Sequence, residues 1–350
     1  MLDQPCASVV IPCLNEAAHI RACLDALAHQ EGIERRFEVL VVDGGSDDGT
    51  REILDERAAR EDWLRVLDNP DRITPIAMNK GIAAARSDVV IILGAHAEVS
   101  SDFVRRNLEA LRAHSESGCV GGVVEQVHGD ELSRRIGLAL SSPFGVGDAR
   151  FRTGGATGHV DTVAFGAYRK AVLDELGGFD ASLVRNQDDE LNYRLTESGW
   201  RIWFDPRIRS TYHARSSYGQ LFRQYRQYGF WKVFVNKKHL TVTTWRQLAP
   251  AAMLMGTAVL MALCLWHWLA PGGLVFLKLA PLALATLWGM WGLGALTAMA
   301  LGSVPLADFP GVMRTFFVLH MAYGWGYCEG VWRLVLLRRP PSAEFKALTR

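Results

Sequence analysis

Three short polar segments follow apolar, β-branched runs in the first hundred residues. They are residues 12–16 (PCLNE), 43–50 (DGGSDDGT) and 94–98 (GAHAE). The carboxylate of Asp43 could accept a hydrogen bond from the N–H of a uracil or from a ribose hydroxyl, and the two glycines after it let backbone approach a ligand. The pattern favours a ligand site. The alternative is a helix-capping loop that binds nothing.

A second group of acids begins an apparent helix much later in the chain. Asp188, Asp189 and Glu190 follow Gln187, and the helix is expected to run to about Ser198. A carboxylate here could act as a general base. Alternatively, the acids only occupy a solvated first turn, where they interact favourably with the helix dipole. No GxGxxG or GxxxxGK[ST] sequence follows the strands, which disfavours a dinucleotide or P-loop site.

Alternating strands and helices must position these residues, and the sequence predicts four βα units. Strands are expected at 7–11, 38–42, 64–67 and 89–93, and helices at 15–29, 48–59, 75–85 and 102–114. Continuous apolar runs such as 89–93 are typical of strands buried on both faces of a parallel sheet. Ligands bind beyond the carboxyl ends of such strands, which is where the three polar segments lie.

The charges are distributed unevenly along the chain. Residues 1–206 contain 22 Lys and Arg against 34 Asp and Glu, whereas residues 207–247 contain nine basic residues and no acidic one. A nucleic-acid-binding protein would carry its basic surface on the folded domain, so that class is disfavoured. The hydrophobic share of 49% excludes a disordered chain. The six cysteines show no paired spacing, which indicates buried free thiols in a reducing compartment.

The C-terminal part is predicted to be membrane-bound. Residues 250–269 and 279–301 are two uncharged stretches of membrane-spanning length, and a third apolar run, 315–337, contains His320, Glu329 and Arg333. The basic residues before the first stretch and in the tail at 338–350 favour the cytoplasmic side for both. We therefore expect two crossings, with 315–337 interfacial or re-entrant; three crossings is the alternative. Residues 1–5 lead directly into a strand without a signal peptide, so the acidic half is expected in the cytoplasm.

The basic neck, residues 207–247, contains an amphipathic pattern. Within residues 220–235, aromatic and aliphatic residues recur at helical spacing between Arg and Lys, which suits a membrane surface with anionic lipid. An ordinary domain-packing helix is the alternative. If the neck is functional, Gln224, Arg226 or Trp231 could close over a nucleotide or guide a lipid-borne acceptor, and His213 could touch a diphosphate.

Several motifs together resemble the family 2 glycosyltransferases, which have the GT-A fold, a Rossmann-like mostly parallel sheet. They are VVIPCLNE at 9–16, VVDGGSDDGT at 41–50, NKG at 79–81, LGGFD at 176–180 and QDDELNYR at 187–194. SPFGVG at 142–147, VAFGAYR at 163–169 and the neck at 225–232 are similar to succinoglycan-type glucosyltransferases of bacterial exopolysaccharide assembly. The resemblance covers residues 7–240 well.

The resemblance implies inverting transfer of a hexose, with glucose favoured, from a UDP-sugar donor. The positions it implies for nucleotide-sugar binding are Pro12, Asn15, Glu16, Asp43, Ser46, Lys80 and Ala95. Residues 94–98 match the family's Asp-x-Asp or Asp-x-His segment, so His96 and Glu98 are implied as ligands of Mn²⁺ or Mg²⁺. Gly94 departs from the pattern because it stands where the family has its first acid.

The resemblance also assigns the base and the acceptor. Asp188 matches the position of the family's catalytic base, with Asp189 as second choice. The expected acceptor is a polyprenyl-diphosphate-linked saccharide. Two rival enzymes transfer sugar to a polyprenyl phosphate or polymerise it, and a third rival is a non-catalytic nucleotide-sugar-binding scaffold of an export complex. We expect a cytoplasmic catalytic domain at 1–206, a neck at 207–247, a membrane region at 248–337 and a basic tail, in a multi-pass inner-membrane protein that contacts lipid and other polysaccharide assembly proteins.

Overall fold

The computed structural model describes residues 4–33, 37–213, 217–243, 245–269 and 278–346. Internal contacts divide the chain into two units. The first contains Met1–Val127 and Asp148–His213, and the second contains His128–Gly147 and Ala214–Arg350. The strands listed below all belong to the first unit.

The described residues form nine strands and fourteen α-helices. The strands are β1 Ser8–Cys13, β2 Glu38–Asp43, β3 Leu64–Asp68, β4 Val89–Ile92, β5 Ala97–Val99, β6 Ser117–Val127, β7 Gly158–Val160, β8 Ala164–Arg169 and β9 Arg201–His213. The helices are α1 Ile20–Ala28, α2 Thr50–Ala58, α3 Thr74–Ala84, α4 Phe103–Ala113, α5 Glu131–Leu140, α6 Pro143–Val146, α7 Arg150–Thr153, α8 Lys170–Leu176, α9 Gln187–Glu197, α10 Tyr218–His239, α11 Ala249–Leu269, α12 Ala280–Leu301, α13 Phe309–Gly330 and α14 Ala343–Lys346.

The strands form one mixed sheet in the order β3-β2-β1-β4-β8-β6-β9-β5, with β7 paired to β9. Strands β1, β2, β3 and β4 are parallel to one another, whereas β8 runs antiparallel to both β4 and β6. The carboxyl ends of β1, β2 and β4 therefore meet at one edge of the sheet. The predicted α/β class and the four βα units are confirmed.

Alternation along β1 shows how the sheet is buried on both faces. Val9 and Ile11 pack in one apolar cluster with residues of α1 and α4, while Val10 packs in another with residues of α3, α8 and α9. All three valine and isoleucine side chains are fully buried. Helices on both faces remove the strands from water, which explains why the strand sequences are continuously apolar.

Helix α1 differs from its predicted start at residue 15, since it begins at Ile20. The backbone N–H of Glu16 donates to Thr50 Oγ1 at 2.8 Å, and that of Ala17 donates to Asp48 Oδ2 at 3.2 Å. These bonds hold the segment against the loop after β2. Residues 16–19 therefore form a separate turn rather than the first turn of the helix.

The second unit is helical. Helices α10 and α13 pack closely at glycines, since a Cβ on Gly229 would collide with the carbonyl oxygen of Tyr323 and one on Gly326 with that of Arg226. Helix α13 ends in a π-helical segment, Val331–Leu336. Two helices, Trp245–Leu269 and Ala280–Leu301, are long and apolar enough to cross a membrane.

Residues 128–147 group with the C-terminal unit, although the sequence placed them inside the expected 1–206 domain. Ile136, Ala139 and Leu140 of α5 pack in one cluster with Val312 and Phe316 of α13. The Arg134 guanidinium also donates to both carboxylate oxygens of Asp308, at 2.7 and 2.6 Å. The amphipathic pattern of α5 predicts a helix but does not indicate its partner.

Candidate active site

The loops after β1 and β2 are joined by a hydrogen-bond network. Ser46 Oγ donates to Asp43 Oδ1 at 2.6 Å and accepts the backbone N–H of Asn15 at 2.8 Å. Asn15 Oδ1 accepts the backbone N–H of Asp47 at 2.9 Å, and Asn15 has a left-handed backbone (φ 54°). The structure thus brings the predicted Asn15, Glu16, Asp43 and Ser46 together. Pro12 lies next to them in β1, opposite Val42.

Arg51 is a charged residue of this region that the sequence did not single out. Its guanidinium lies 3.7 Å from Asp43 Oδ2 and forms ion pairs with Asp55 at 2.9 Å and Asp68 at 2.5 Å. Hydrogen bonds to Asp68 and Asp55 raise the pKa of Arg51, so it stays charged. Asp43 is almost fully buried, so Arg51 is a charged partner within reach of a buried carboxyl group.

Lys80 lies on α3 at the end of β3. Its Nζ is 3.3 Å from the carbonyl oxygen of Asp68 and 3.5 Å from Asp71 Oδ2. Because Arg51 also binds Asp68, the predicted Lys80 belongs to a charged chain that leads to Asp43. A phosphate or ribose placed beside Asp43 would meet this chain of alternating charges.

The segment after β4 contains both exposed and buried predicted residues. His96 Nδ1 lies 3.4 Å from Glu16 Oε1, and the His96 ring packs edge-on against Tyr212 at 5.0 Å. Glu98 is exposed on β5 between two buried neighbours. Ala95 is only 2% exposed and packs in the core.

His96 and its neighbour Glu16 carry nitrogen and oxygen donors of the types that bind divalent cations. Among the described residues, no three His, Cys, Asp or Glu side chains gather closely enough to hold a metal. Burial, followed by the charges of Glu98 and Glu16, raises the pKa of the Cys23 thiol to about 12. Mg²⁺ sites often use one or two carboxylates together with substrate phosphates, and imidazole suits related metals.

Asp188 is the second residue of α9, and its side chain is partly accessible to solvent. The protein packed around its carboxyl group, followed by repulsion from the charge of Asp189, raises the pKa of Asp188 to about 6. Asp188 also contributes, after burial, to the raised pKa of Tyr168 beneath it. A carboxylate of this kind holds a proton more strongly than an ordinary aspartate.

Three of the predicted neck residues make their observed contacts within the second unit. Trp231 is 1% exposed and its indole N–H donates to the carbonyl oxygen of Phe345 at 3.0 Å. Arg226 pairs with Glu329 at 2.7 Å and Glu344 at 2.5 Å. Gln224 Nε2 donates to the Tyr228 hydroxyl at 3.0 Å. The side chain of His213 lies outside the described residues.

The partners of Trp231 and Arg226 come from distant parts of the chain. Glu329 and Glu344 lie 103 and 118 residues from Arg226 along the chain, so no local pattern signals them. Phe345 stacks on Phe230 at 3.7 Å, and the Arg226 guanidinium lies 4.9 Å from the Phe345 ring. The amphipathic pattern of α10 is therefore used for packing in this part of the helix.

The mixed sheet, with the loops at the carboxyl ends of its parallel strands, has the architecture of a GT-A glycosyltransferase. The glycosyl transferase family 2 profile matches residues 8–177. The succinoglycan biosynthesis protein ExoA of Rhizobium meliloti is 32% identical over 334 residues, covering 94% of each chain. This chain belongs to glycosyltransferase family 2.

Two further similarities agree with this assignment. A Methanococcus voltae enzyme, a dolichyl N-acetyl-glucosaminyl phosphate diacetamido-glucuronosyltransferase, is 29% identical and covers 66% of this chain and 74% of its own. The solved mannosyltransferase of Pyrobaculum calidifontis, in complex with GDP-Man and Mn²⁺, superposes with a TM-score of 0.62 at 20% identity. It covers 94% of this chain and 88% of its own. The structural likeness shows the GT-A fold.

Proposed function

We propose that this glycosyltransferase moves one hexose, with glucose favoured, from a UDP-sugar to a lipid-linked saccharide with inversion at the anomeric carbon. The single observation that carries the proposal is the acid at the start of α9, Asp188, whose pKa is raised to about 6. General bases work best when their pKa lies near the operating pH. A capping or purely structural acid has no need of this environment.

The reaction divides between the two groups of residues. Asp188 takes the proton of the acceptor hydroxyl while that oxygen attacks the anomeric carbon and the bond to the diphosphate breaks. Asp43, Asn15 and Ser46 hold the nucleoside, and Lys80 supplies positive charge on the nucleotide side. Asp189 lies beside the base and keeps its proton affinity high. A divalent cation held by His96 and Glu98 would neutralise charge on the leaving diphosphate.

We place the enzyme at the cytoplasmic face of the inner membrane, with α11 and α12 as its spans. The neck carries its basic residues immediately before α11, as the positive-inside rule expects of a cytoplasmic segment. The relatives from succinoglycan and dolichyl-linked glycan synthesis support a lipid-borne acceptor. Association with other polysaccharide assembly proteins is part of the same proposal.

The contacts of α13 support an interfacial rather than a spanning position for the third apolar segment. Gly324 packs against Pro250 at the start of α11, and His320 accepts a hydrogen bond from the Trp291 indole, in the second half of α12, at 2.9 Å. Both contacts belong to the span halves nearer the neck. Phe317 and Trp325 of α13 are exposed. Exposed aromatic side chains are common at the headgroup level of a membrane, which agrees with an interfacial position for α13.

The test is turnover by the full-length protein in membranes or detergent. UDP release from UDP-glucose with Mn²⁺, in the presence of a polyprenyl-diphosphate-linked saccharide, should be lost on Asp188→Asn and reduced by EDTA. The product should be a single sugar addition. A lipid monophosphosugar would instead identify polyprenyl phosphate as the acceptor. Donor binding without turnover in the wild type, or unchanged turnover in Asp188→Asn, would reject the proposed mechanism.

A further inference from the structure

The turn between α8 and α9 has a backbone that requires glycine. Gly177 and Gly178 have φ values of 74° and 71°, in the left-handed region. A Cβ on Gly178 would also lie 2.5 Å from Asn79 Oδ1, so a larger residue would displace that side chain. The turn is closed by the Gly178 N–H, which donates to the carbonyl oxygen of Leu173 at 2.9 Å. This geometry presents the backbone of residues 176–179 to its neighbours.

Asn79 of α3 forms two hydrogen bonds with the backbone of this turn. Its Oδ1 accepts the backbone N–H of Phe179 at 2.8 Å, and its Nδ2 donates to the carbonyl oxygen of Phe179 at 2.7 Å. The amide thus pairs with both polar groups of one residue, 100 positions away in the chain. Phe179 itself is buried in the core shared by α3 and α9. Two hydrogen bonds from one planar amide fix orientation as well as distance.

Arg194 of α9 forms two further hydrogen bonds with the backbone of the same turn. Its guanidinium donates to the carbonyl oxygens of Leu176 at 2.6 Å and Gly178 at 2.7 Å. It is held in place by Glu190, a fully buried acid whose carboxylate accepts from Arg194 at 2.8 and 3.0 Å. Glu190 and Arg194 are one helical turn apart. Asp188 lies two residues before Glu190 on the same helix.

The turn therefore connects the helix that carries Lys80 to the helix that carries Asp188. We propose that Asn79 is a positioning residue for the catalytic base, acting through the turn at 176–179 and Arg194. Loss of the Asn79 bonds would let α9 shift against α3, and a misplacement of about 1 Å of a reacting group can cost about a hundredfold in rate. Donor binding at Asp43 and Ser46 would be affected much less. This inference rests on the proposed function, since it assigns Asp188 as base.

The main test is Asn79→Leu in the full-length protein, with UDP release and acceptor transfer as readouts. We expect kcat to fall by about 10- to 100-fold while KM for UDP-glucose stays within about twofold. Asn79→Asp retains the acceptor for the Phe179 N–H and should give an intermediate kcat. Asn107→Leu is the matched control, because Asn107 is a buried asparagine whose amide binds only within α4, at the carbonyl oxygen of Phe103. It should leave kcat and KM unchanged.

A second variant covers poor folding of Asn79→Leu. Arg194→Lys keeps the positive charge beside Glu190, but an ammonium group lacks the planar guanidinium that binds both carbonyl oxygens of the turn. This variant should show the same fall in kcat with an unchanged KM. A kcat within twofold of the wild type in both variants would overturn the positioning role. So would a rise in KM without a change in kcat. Failure of the proposed function would be seen separately, as activity in Asp188→Asn or no turnover by the wild type.

Discussion

The hydroxyl of Ser46 donates to the carboxylate of Asp43 at 2.6 Å. That bond links a residue of the loop to the last residue of β2, and the same oxygen receives the backbone N–H of Asn15 from the neighbouring strand end. One side chain thus fixes the distance between two loops that are expected to hold the nucleoside. The relationship leads directly to a prediction about donor affinity.

Ser46→Ala should raise KM for the UDP-sugar by about 5- to 30-fold, the equivalent of a lost hydrogen bond of about 1–2 kcal/mol to a charged group. The value of kcat should change little, because the base is on another helix. Steady-state UDP release over a range of donor concentrations measures both constants. The control is Ser87→Ala, which removes a 3.1 Å hydrogen bond to the backbone N–H of Val89 at the opposite end of β4. A KM increase of the same size in the control would contradict the prediction.

Asp188→Asn should lower kcat by about 10²- to 10⁴-fold, because the amide has no basic oxygen for the acceptor proton. Binding of UDP-glucose, measured by calorimetry, should persist. Asp189→Asn removes a like charge without removing the base, so its loss of activity should be much smaller. Comparable losses in the two variants would instead favour Asp189, or the pair, as the base.

The raised pKa of Asp188 predicts an opposite pH dependence for activity and stability. Its folded-state pKa of about 6 lies above the ordinary value of 3.8, so the folded protein binds a proton there more tightly than the unfolded chain. The charged form is destabilising above pH 6, and lowering the pH from 7 towards 4 should relieve this cost. Thermal unfolding of the wild type and Asp188→Asn should show the variant as more stable at pH 7. The difference should disappear near pH 4.

The activity of the enzyme should fall as the pH is lowered below about 6, where protonation of Asp188 increases stability. Only ionised Asp188 can accept the proton, so kcat should decrease about tenfold per pH unit below about 6. Initial rates between pH 5 and 8, at saturating donor and acceptor, test the slope. A rate independent of pH down to 5 would exclude Asp188 as a base with this pKa.

The strand ends could be predicted from the sequence because they depend on local patterns. Apolar runs of β-branched residues locate β1, β2 and β4, and parallel strands bring the residues that follow them to one edge. This pattern predicts that Asp43, Asn15 and Glu16 lie close together, as they do in the structure. Arg51 was missed because its role depends on Asp68, which follows from the pairing of β2 with β3.

Long-range partners account for the other differences. Arg226 and Trp231 have the spacing of an exposed amphipathic face, but their partners come from α13 and α14 more than a hundred residues later. Helix α5 is amphipathic, and nothing in its own sequence says that its apolar face meets α13. The spacing of apolar residues predicts which face of a helix is buried, but the element packed against that face is known only from the fold.

The glycines between α10 and α13 make the second unit sensitive to very small changes. Gly326→Ala would place a methyl group against the carbonyl oxygen of Arg226, and it should destabilise the unit by about 1–3 kcal/mol. Gly292→Ala is the matched control on α12, where a Cβ has no atom within 4 Å. Thermal unfolding in detergent should show a lower midpoint for the first variant only. Equal midpoints would mean that the helices can separate at no cost.

The contact between Gly94 and Phe165 limits how the segment after β4 can change. A Cβ at residue 94 would lie 3.1 Å from Phe165 Cε1, and Phe165 itself has a left-handed backbone, with φ 51°. An acid introduced at position 94 would require the Phe165 ring to shift by a few tenths of an ångström. Such a replacement is therefore expected to be tolerated best when position 165 carries a smaller side chain at the same time.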